Sequence, residues 1–175
     1  MSNKIYDLEK KLVSGSQSEI FKIIGKEKLI AKIYKENFKS QFTPPQENAK
    51  KEYEIGKLFQ MNSISVPKYI GTCKVSKKDE EIIWDAVVME YIEDSYLIKN
   101  SQNYKDRGRV PPKMYNRGKE LLKIEIEKIE HLPFKLISTG FSFGHDYQGL
   151  YSPSKDCIYL IDFGQISAIQ KKSHS

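Results

Sequence analysis

Short apolar runs separated by turn residues dominate the first ninety positions of the chain, and their spacing predicts strands around a single helix. Residues 8–14 (LEKKLVS) lead into a Gly/Ser turn, and 19–24 (EIFKII) form a second strand. Gly25 marks the next turn, and 29–34 (LIAKIY) form a third strand. Pro44 and Pro45 then open a helix running from about Gln46 to Met61, because proline suits the entry of a helix and not its interior. Tyr53, Ile55, Leu58 and Phe59 are its candidate packing residues. Strands over 68–75 (KYIGTCKV) and 82–90 (IIWDAVVME) follow, joined by the charged turn SKKDEE.

Beyond residue 92 the pattern changes. The polar stretch 93–113 predicts a loop between two lobes. Pro111 and Pro112 introduce a helix over 114–131, with Tyr115, Leu122, Ile126 and Ile129 on one stripe. A loop, a short strand at 157–161 (CIYLI) and a tail complete the chain. Strands first and helices later, without regular alternation, indicate an α+β protein.

Composition narrows the partners. At 175 residues, 39% hydrophobic and 11% aromatic, the chain is sized for one domain or for two small lobes sharing a cleft, which excludes wholesale disorder. The net charge of +6 makes phosphate-rich or acidic partners worth weighing. Only Arg107, Arg109 and Arg117 are arginines, however, so the guanidinium forks that read phosphates and bases are scarce. A solvated lysine-rich surface is expected, not a nucleic-acid interface. Cys73 and Cys157 are isolated and give neither a disulfide framework nor a metal spacing. No apolar run approaches the length of a membrane span, and the amino terminus (MSNKIYDLEKK) lacks the apolar core of a cleavable signal peptide. A cytoplasmic location is expected, or secretion into a host cell by a route without such a signal.

Four segments carry candidate chemistry. LIDFG at 160–164 places Asp162 at the end of a strand, where a hard carboxylate suits magnesium and Gly164 lets the backbone turn away. AKIYK at 31–35 sets Lys32 between Ala31 and Ile33, so its side chain faces opposite to theirs and is able to neutralise phosphate oxygens. Lys28 and Lys35 read as ordinary solvent-facing lysines. In LVSGSQSEIF at 12–21, the small residues Ser14, Gly15, Ser16 and Ser18 allow a backbone to approach a phosphate closely. In GHDYQGLY at 144–151, Asp146 is placed to orient a substrate hydroxyl or accept its proton, while His145 alone reads as a surface residue. Each segment has an ordinary reading by itself: a turn, a solvated lysine, a polar hairpin. Their order along the chain is harder to attribute to chance.

In that order the motifs resemble the protein-kinase superfamily over about residues 8–166. The resemblance implies a two-lobe fold, with an antiparallel β-sheet N-lobe carrying one helix over 1–92 and a truncated, mainly helical C-lobe over 93–175. It implies ATP and Mg2+, with Mn2+ as a possible substitute, as cofactors. Ser14, Gly15, Ser16, Gln17 and Ser18 would form the nucleotide loop, Lys32 the phosphate lysine and Glu52 its helix partner. Glu52 is chosen over Glu47 and Glu54 because it shares a helical face with Ile55 and Phe59. Met89, Glu90 and Tyr91 would line the adenine site, with Glu90 and Tyr91 offering backbone groups. Asp146, Lys32 and Glu52 would be catalytic, and Asp162 would hold the metal.

Departures accompany the match. Tyr151 stands where the family has a metal-binding Asn, which leaves Gln148 to supply an oxygen. Eleven residues follow Gly164, so an activation segment is not expected, as in minimal bacterial effector kinases of the OspG and NleH type. The implied function is a serine/threonine protein kinase acting on a host protein. The alternative is a pseudokinase that engages a partner such as a ubiquitin-conjugating enzyme or a chaperone. A small-molecule phosphotransferase would need further helices to enclose its substrate.

Overall fold

The computed structural model describes residues 5–15, 17–35, 45–77, 81–138, 146–163 and 166–170. Five strands, β1 (Ile5–Ser14), β2 (Ser18–Ile23), β3 (Lys26–Tyr34), β4 (Tyr69–Lys77) and β5 (Ile83–Glu90), close into a barrel in the order β1-β2-β3-β5-β4. The helix α1 (Pro45–Met61) lies against its outside, contacting β3, β4 and β5. Further along come β6 (Tyr96–Lys99), α2 (Pro112–Glu130), β7 (Phe134–Ser138), β8 (Gln148–Ser152), β9 (Cys157–Ile161) and β10 (Ile166–Gln170). Of these, β6, β8 and β9 form one antiparallel sheet, while β7 pairs with β10.

These elements overturn the expectation of a two-lobe, kinase-like α+β fold with an antiparallel N-lobe sheet and a mainly helical C-lobe. The chain is mostly β, with a closed five-stranded barrel and two α-helices among the described residues. Two physical causes account for the difference. The β1–β2 ladder shifts register between Leu8 and Lys11 and again between Lys11 and Val13. Such bulges bend a strand and increase its twist, and here the first four residues of β1 pair in parallel with β4, from Ile5↔Lys74 to Leu8↔Lys77. That pairing removes both sheet edges. In the second half, β6, β7, β8 and β10 are four or five residues long. β9 is as short, but its CIYLI run is apolar throughout, whereas the other four include Lys, Gln or Ser. The presumed loop 93–113 holds β6.

Alternation along the barrel strands divides the interior into two cores. Leu8, Phe21, Ile23, Ala31, Ile33, Val75, Ala86 and Val88 fill the barrel. Ile30, Tyr34, Val87 and Met89 point outward and join a larger core with α1 and the second half of the chain. Phe59 of α1 and Phe163 after β9 meet edge-on there, 4.9 Å between ring centroids, and both are fully buried. The α1–β4 connection is stitched to the second half by Ser65. Its carbonyl accepts from Leu160 N at 2.8 Å, its Oγ donates to the Ile158 carbonyl, and its N–H donates to Glu125 Oε2 at 2.9 Å. Glu125 belongs to the buried stripe of α2 with Tyr115, Gly118, Leu122 and Ile129. Among the described residues no helix is long and apolar enough to cross a membrane.

Replacing Phe59 by alanine should remove about 3–4 kcal/mol of stability, the usual cost of deleting a buried aromatic ring. Urea denaturation measures it, and a loss below about 1 kcal/mol would place the Phe59–Phe163 contact outside the cooperative core.

Candidate functional site

The period-two geometry of β3 decides where Lys32 points. Ala31 and Ile33 enter the barrel core, and Lys32 faces out toward α1 with only 5% of its surface exposed. Its Nζ lies 2.9 Å from Glu52 Oε2 and 2.8 Å from Asp162 Oδ1. The chain thus brings together three residues singled out in its sequence, one from the barrel, one from α1 and one from the end of β9. Glu47 and Glu54, the rejected alternatives, pair instead with Lys51 and Lys50 on the helix surface.

Burial alone would lower the pKa of Lys32, but the charges of Asp162 and then Glu52 outweigh it and hold the pKa above the ordinary lysine value. Glu52 is fully buried and is also held by two hydroxyls: Tyr34 donates to Oε2 and Tyr69 donates to Oε1 at 3.1 Å. Burial pushes the Tyr69 hydroxyl well above its usual pKa, and the adjacent Glu52 charge adds to the effect. The Tyr69 phenol therefore stays protonated and remains a donor.

Asp162 has a left-handed backbone, φ 75°. Such a conformation costs an L-residue about 1–2 kcal/mol, although Asp tolerates it better than most. The reversal turns the Asp162 carboxylate to Lys32 while the next ring, Phe163, enters the core. The other oxygen, Oδ2, accepts from Gln148 Nε2 at 3.1 Å. Asp162 and Gln148, the two predicted metal ligands, are therefore in direct contact. Among the described residues no three of His, Cys, Asp and Glu converge. A magnesium ion here would rest on one or two protein oxygens plus those of a phosphate ligand, which is how that ion is commonly held.

Asp146 lies two residues before β8. It accepts from Ser101 N at 2.8 Å and Ser101 Oγ at 2.6 Å. The loop carrying Ser101 is gathered by Lys119 of α2, which donates to the carbonyls of Lys99, Asn100 and Gln102. Tyr151 is buried and its hydroxyl donates to Asp156 at 3.0 Å. The Arg117 guanidinium forks onto the same Asp156 and holds its carboxyl below the usual range. Tyr151, in β8, therefore directs its hydroxyl to the β8–β9 turn.

Of the proposed nucleotide loop, Ser14, Gly15, Gln17 and Ser18 are described, whereas Ser16, His145 and Gly164 lie outside the described residues. Gly15 N donates to Ser18 O, and Lys35 Nζ donates to Gly15 O at 2.6 Å and to Ser14 Oγ at 3.2 Å. Lys35 is thus a clamp on the turn and not the idle surface lysine its sequence position suggests. Met89 is buried on the outer face of β5. The N–H groups of Glu90 and Tyr91 are engaged by the carbonyls of Lys68 and Lys28, so their own carbonyls are what these residues offer to a base. A cavity of about 550 Å³ opens beside them, walled by Leu29, Tyr91, Ile92, Lys28, Lys68 and Lys155 among others. Lys32 and Asp162 are not in its walls, and its lysines are balanced by Glu90, Glu93 and Asp94. The buried charges, not this cavity, mark the site.

No protein-family model matches the chain, and no curated protein matches it. The site is read from its geometry. Tyr34, Tyr69 and Ser101 escaped the sequence reading because each bonds a candidate carboxylate across a fold contact, and Lys119 because it gathers only the backbone of the loop that carries Ser101. Only Tyr34 left a local signal, since it is two residues from Lys32 on a strand and so shares its face.

Because the folded pKa of Lys32 lies above 10.5, its contribution to stability is complete at neutral pH. It declines as pH rises past 10.5, where the unfolded lysine loses its proton and the folded one keeps it. Lys32→Met, which leaves Glu52 buried without its cation, should cost about 3 kcal/mol at neutral pH. That deficit should narrow in urea titrations above pH 10.5. Equal stability of the two proteins at both pH values would remove the pairing from the energetics.

Proposed function

We propose that the chain is an Mg-ATP-dependent phosphotransferase that modifies a protein hydroxyl, serine or threonine in preference to tyrosine, with a host protein as substrate. The observation that carries the proposal is the Lys32 ammonium bridging Glu52 and Asp162 at 2.9 and 2.8 Å. An ammonium has three N–H donors. Two are engaged by these carboxylates, and the third is available to a phosphate oxygen. Asp162, with Gln148 beside it, would hold magnesium, which would supply charge neutralisation to the phosphates. Gly15 supports the loop assignment: a Cβ there would meet Ser18 O at an ordinary 3.5 Å, so the turn itself does not demand glycine.

In the transfer, the acceptor oxygen forms a bond to the γ-phosphorus as the bond from that phosphorus to the β–γ bridging oxygen breaks, and ADP leaves with the electron pair. Asp146 orients the hydroxyl and takes its proton. Its carboxylate accepts two bonds from Ser101, and a carboxylate has about four lone-pair sites, so capacity remains. Positioning and charge neutralisation would supply the rate, not covalent catalysis.

A second reading is favoured by one observation. Tyr151 is turned to Asp156 and so brings no ligand to Asp162. A site with one firm metal ligand suits a module that binds nucleotide without transferring phosphate and serves to engage a protein partner, such as a ubiquitin-conjugating enzyme or a chaperone.

Incubation with radiolabelled ATP, magnesium and either a generic protein substrate or a host-cell lysate separates the two. The parent should transfer label, Asp162→Ala should abolish transfer, and Lys32→Met should reduce it by about a hundredfold or more. Nucleotide-dependent thermal stabilisation without transfer would select the second reading. Neither stabilisation nor transfer would overturn both.

A further inference from the structure

Glu52 is held by more than its lysine. Tyr34 projects from the same face of β3 as Lys32, its ring 5.0 Å below the ammonium and its hydroxyl on Glu52 Oε2. Tyr69 opens β4 and donates to the other oxygen, Oε1, at 3.1 Å. All three residues are buried: Tyr34 is 1% exposed, Tyr69 2% and Glu52 0%.

The helix is shaped to admit one of these rings. Gly56 sits four residues after Glu52, on the same face of α1. A Cβ at Gly56 would lie 2.3 and 2.4 Å from the Tyr69 ring atoms Cε2 and Cδ2, closer than any side chain permits. Glycine in mid-helix costs about 1 kcal/mol relative to alanine. Here it opens the space through which the Tyr69 ring reaches Glu52. Packing alone does not require a hydroxyl at either tyrosine, since phenylalanine fills nearly the same volume. Both hydroxyls instead end on the single carboxylate that faces Lys32.

We infer that Tyr34 and Tyr69 are positioning residues that fix the Glu52 carboxylate toward Lys32, with Gly56 as the clearance for the second ring, so that the barrel itself holds α1 in the engaged position. The inference deepens the phosphotransferase reading and rests on it for its functional consequence. The chain of contacts, from tyrosine to Glu52 to Lys32, has a consequence without nucleotide as well. A lysine held between two carboxylates is a poor nucleophile, and a loosened one is better.

The test uses the full chain carrying Tyr34→Phe, Tyr69→Phe, both together, Gly56→Ala, and each tyrosine change in a Glu52→Gln background. The first readout is the rate at which an amine-acylating reagent modifies Lys32 without nucleotide, followed by peptide mass spectrometry with the remaining lysines as internal standards. The double phenylalanine variant should raise Lys32 labelling by about tenfold, the equivalent of one lost hydrogen bond to a charged group. Gly56→Ala should act in the same direction, and the tyrosine changes should add nothing once Glu52 is glutamine. The second readout is affinity for Mg-ATP against adenosine. Loss of ATP affinity with adenosine affinity unchanged supports positioning, because only the phosphates meet Lys32. Equal loss of both overturns it in favour of general packing, as does unchanged Lys32 labelling in a folded double variant. Should labelling respond while the parent binds neither ATP nor adenosine, the positioning chain stands and the phosphotransferase reading falls.

Discussion

One buried ammonium ties the molecule together. Lys32 belongs to the barrel, Glu52 to the helix outside it and Asp162 to the end of a strand far along the sequence. A charge taken out of water without partners would cost many kcal/mol. The three groups therefore determine one another's positions: the lysine is tolerable only where both carboxylates reach it, and Glu52 only where the lysine and two hydroxyls satisfy it. Surface pairs such as Lys50–Glu54 carry no such obligation, being solvated and worth about a kcal/mol at most.

The apolar framework around the trio places it without contributing charge. The alternation that fills the barrel with Ala31 and Ile33 leaves Lys32 and Tyr34 on the outer face. Phe59 and Phe163 then lock α1 to the segment that carries Asp162. Ser65 adds hydrogen bonds, one of them between backbone groups, from the α1–β4 connection to β9 and to the Glu125 side chain of α2. Each contact joins the barrel side of the site to the β9 side, which explains how residues 130 positions apart keep a hydrogen bond of 2.8 Å.

What could be read from the sequence follows from which information is local. The outward direction of Lys32 needs only its two neighbours, and Glu52 was chosen from the helical period read together with the family resemblance, so both were legible. Gln148 was named only as an oxygen donor implied by the family resemblance, and its contact with Asp162, made through Nε2, was not foreseen. Barrel closure was not legible, because the parallel pairing of Ile5 with Lys74 leaves no mark on either segment alone. In the second half β9 was read at 157–161 from its unbroken apolar run, whereas β6, β7, β8 and β10 were missed because polar residues interrupt theirs. The helical character expected there gave way, among the described residues, to five strands and one long helix. Gly56 illustrates a further limit: in sequence it is an unfavourable helix residue, and only the ring of Tyr69 reveals its purpose.

Buried ion pairs are poor devices for stability, since well-packed apolar side chains of similar volume often serve as well or better. A fold that needed only to seat α1 on the barrel could have done so with the contacts of Ile55 and Phe59. The gradient of exposure through the charged trio argues for another purpose. The Glu52 side chain is 1% exposed and that of Lys32 6%, whereas that of Asp162 is 37% exposed. The network is anchored in the interior by the tyrosines and opens to solvent at one carboxylate. That polarity suits a site in which the inner residues fix the lysine and the outer one meets a ligand.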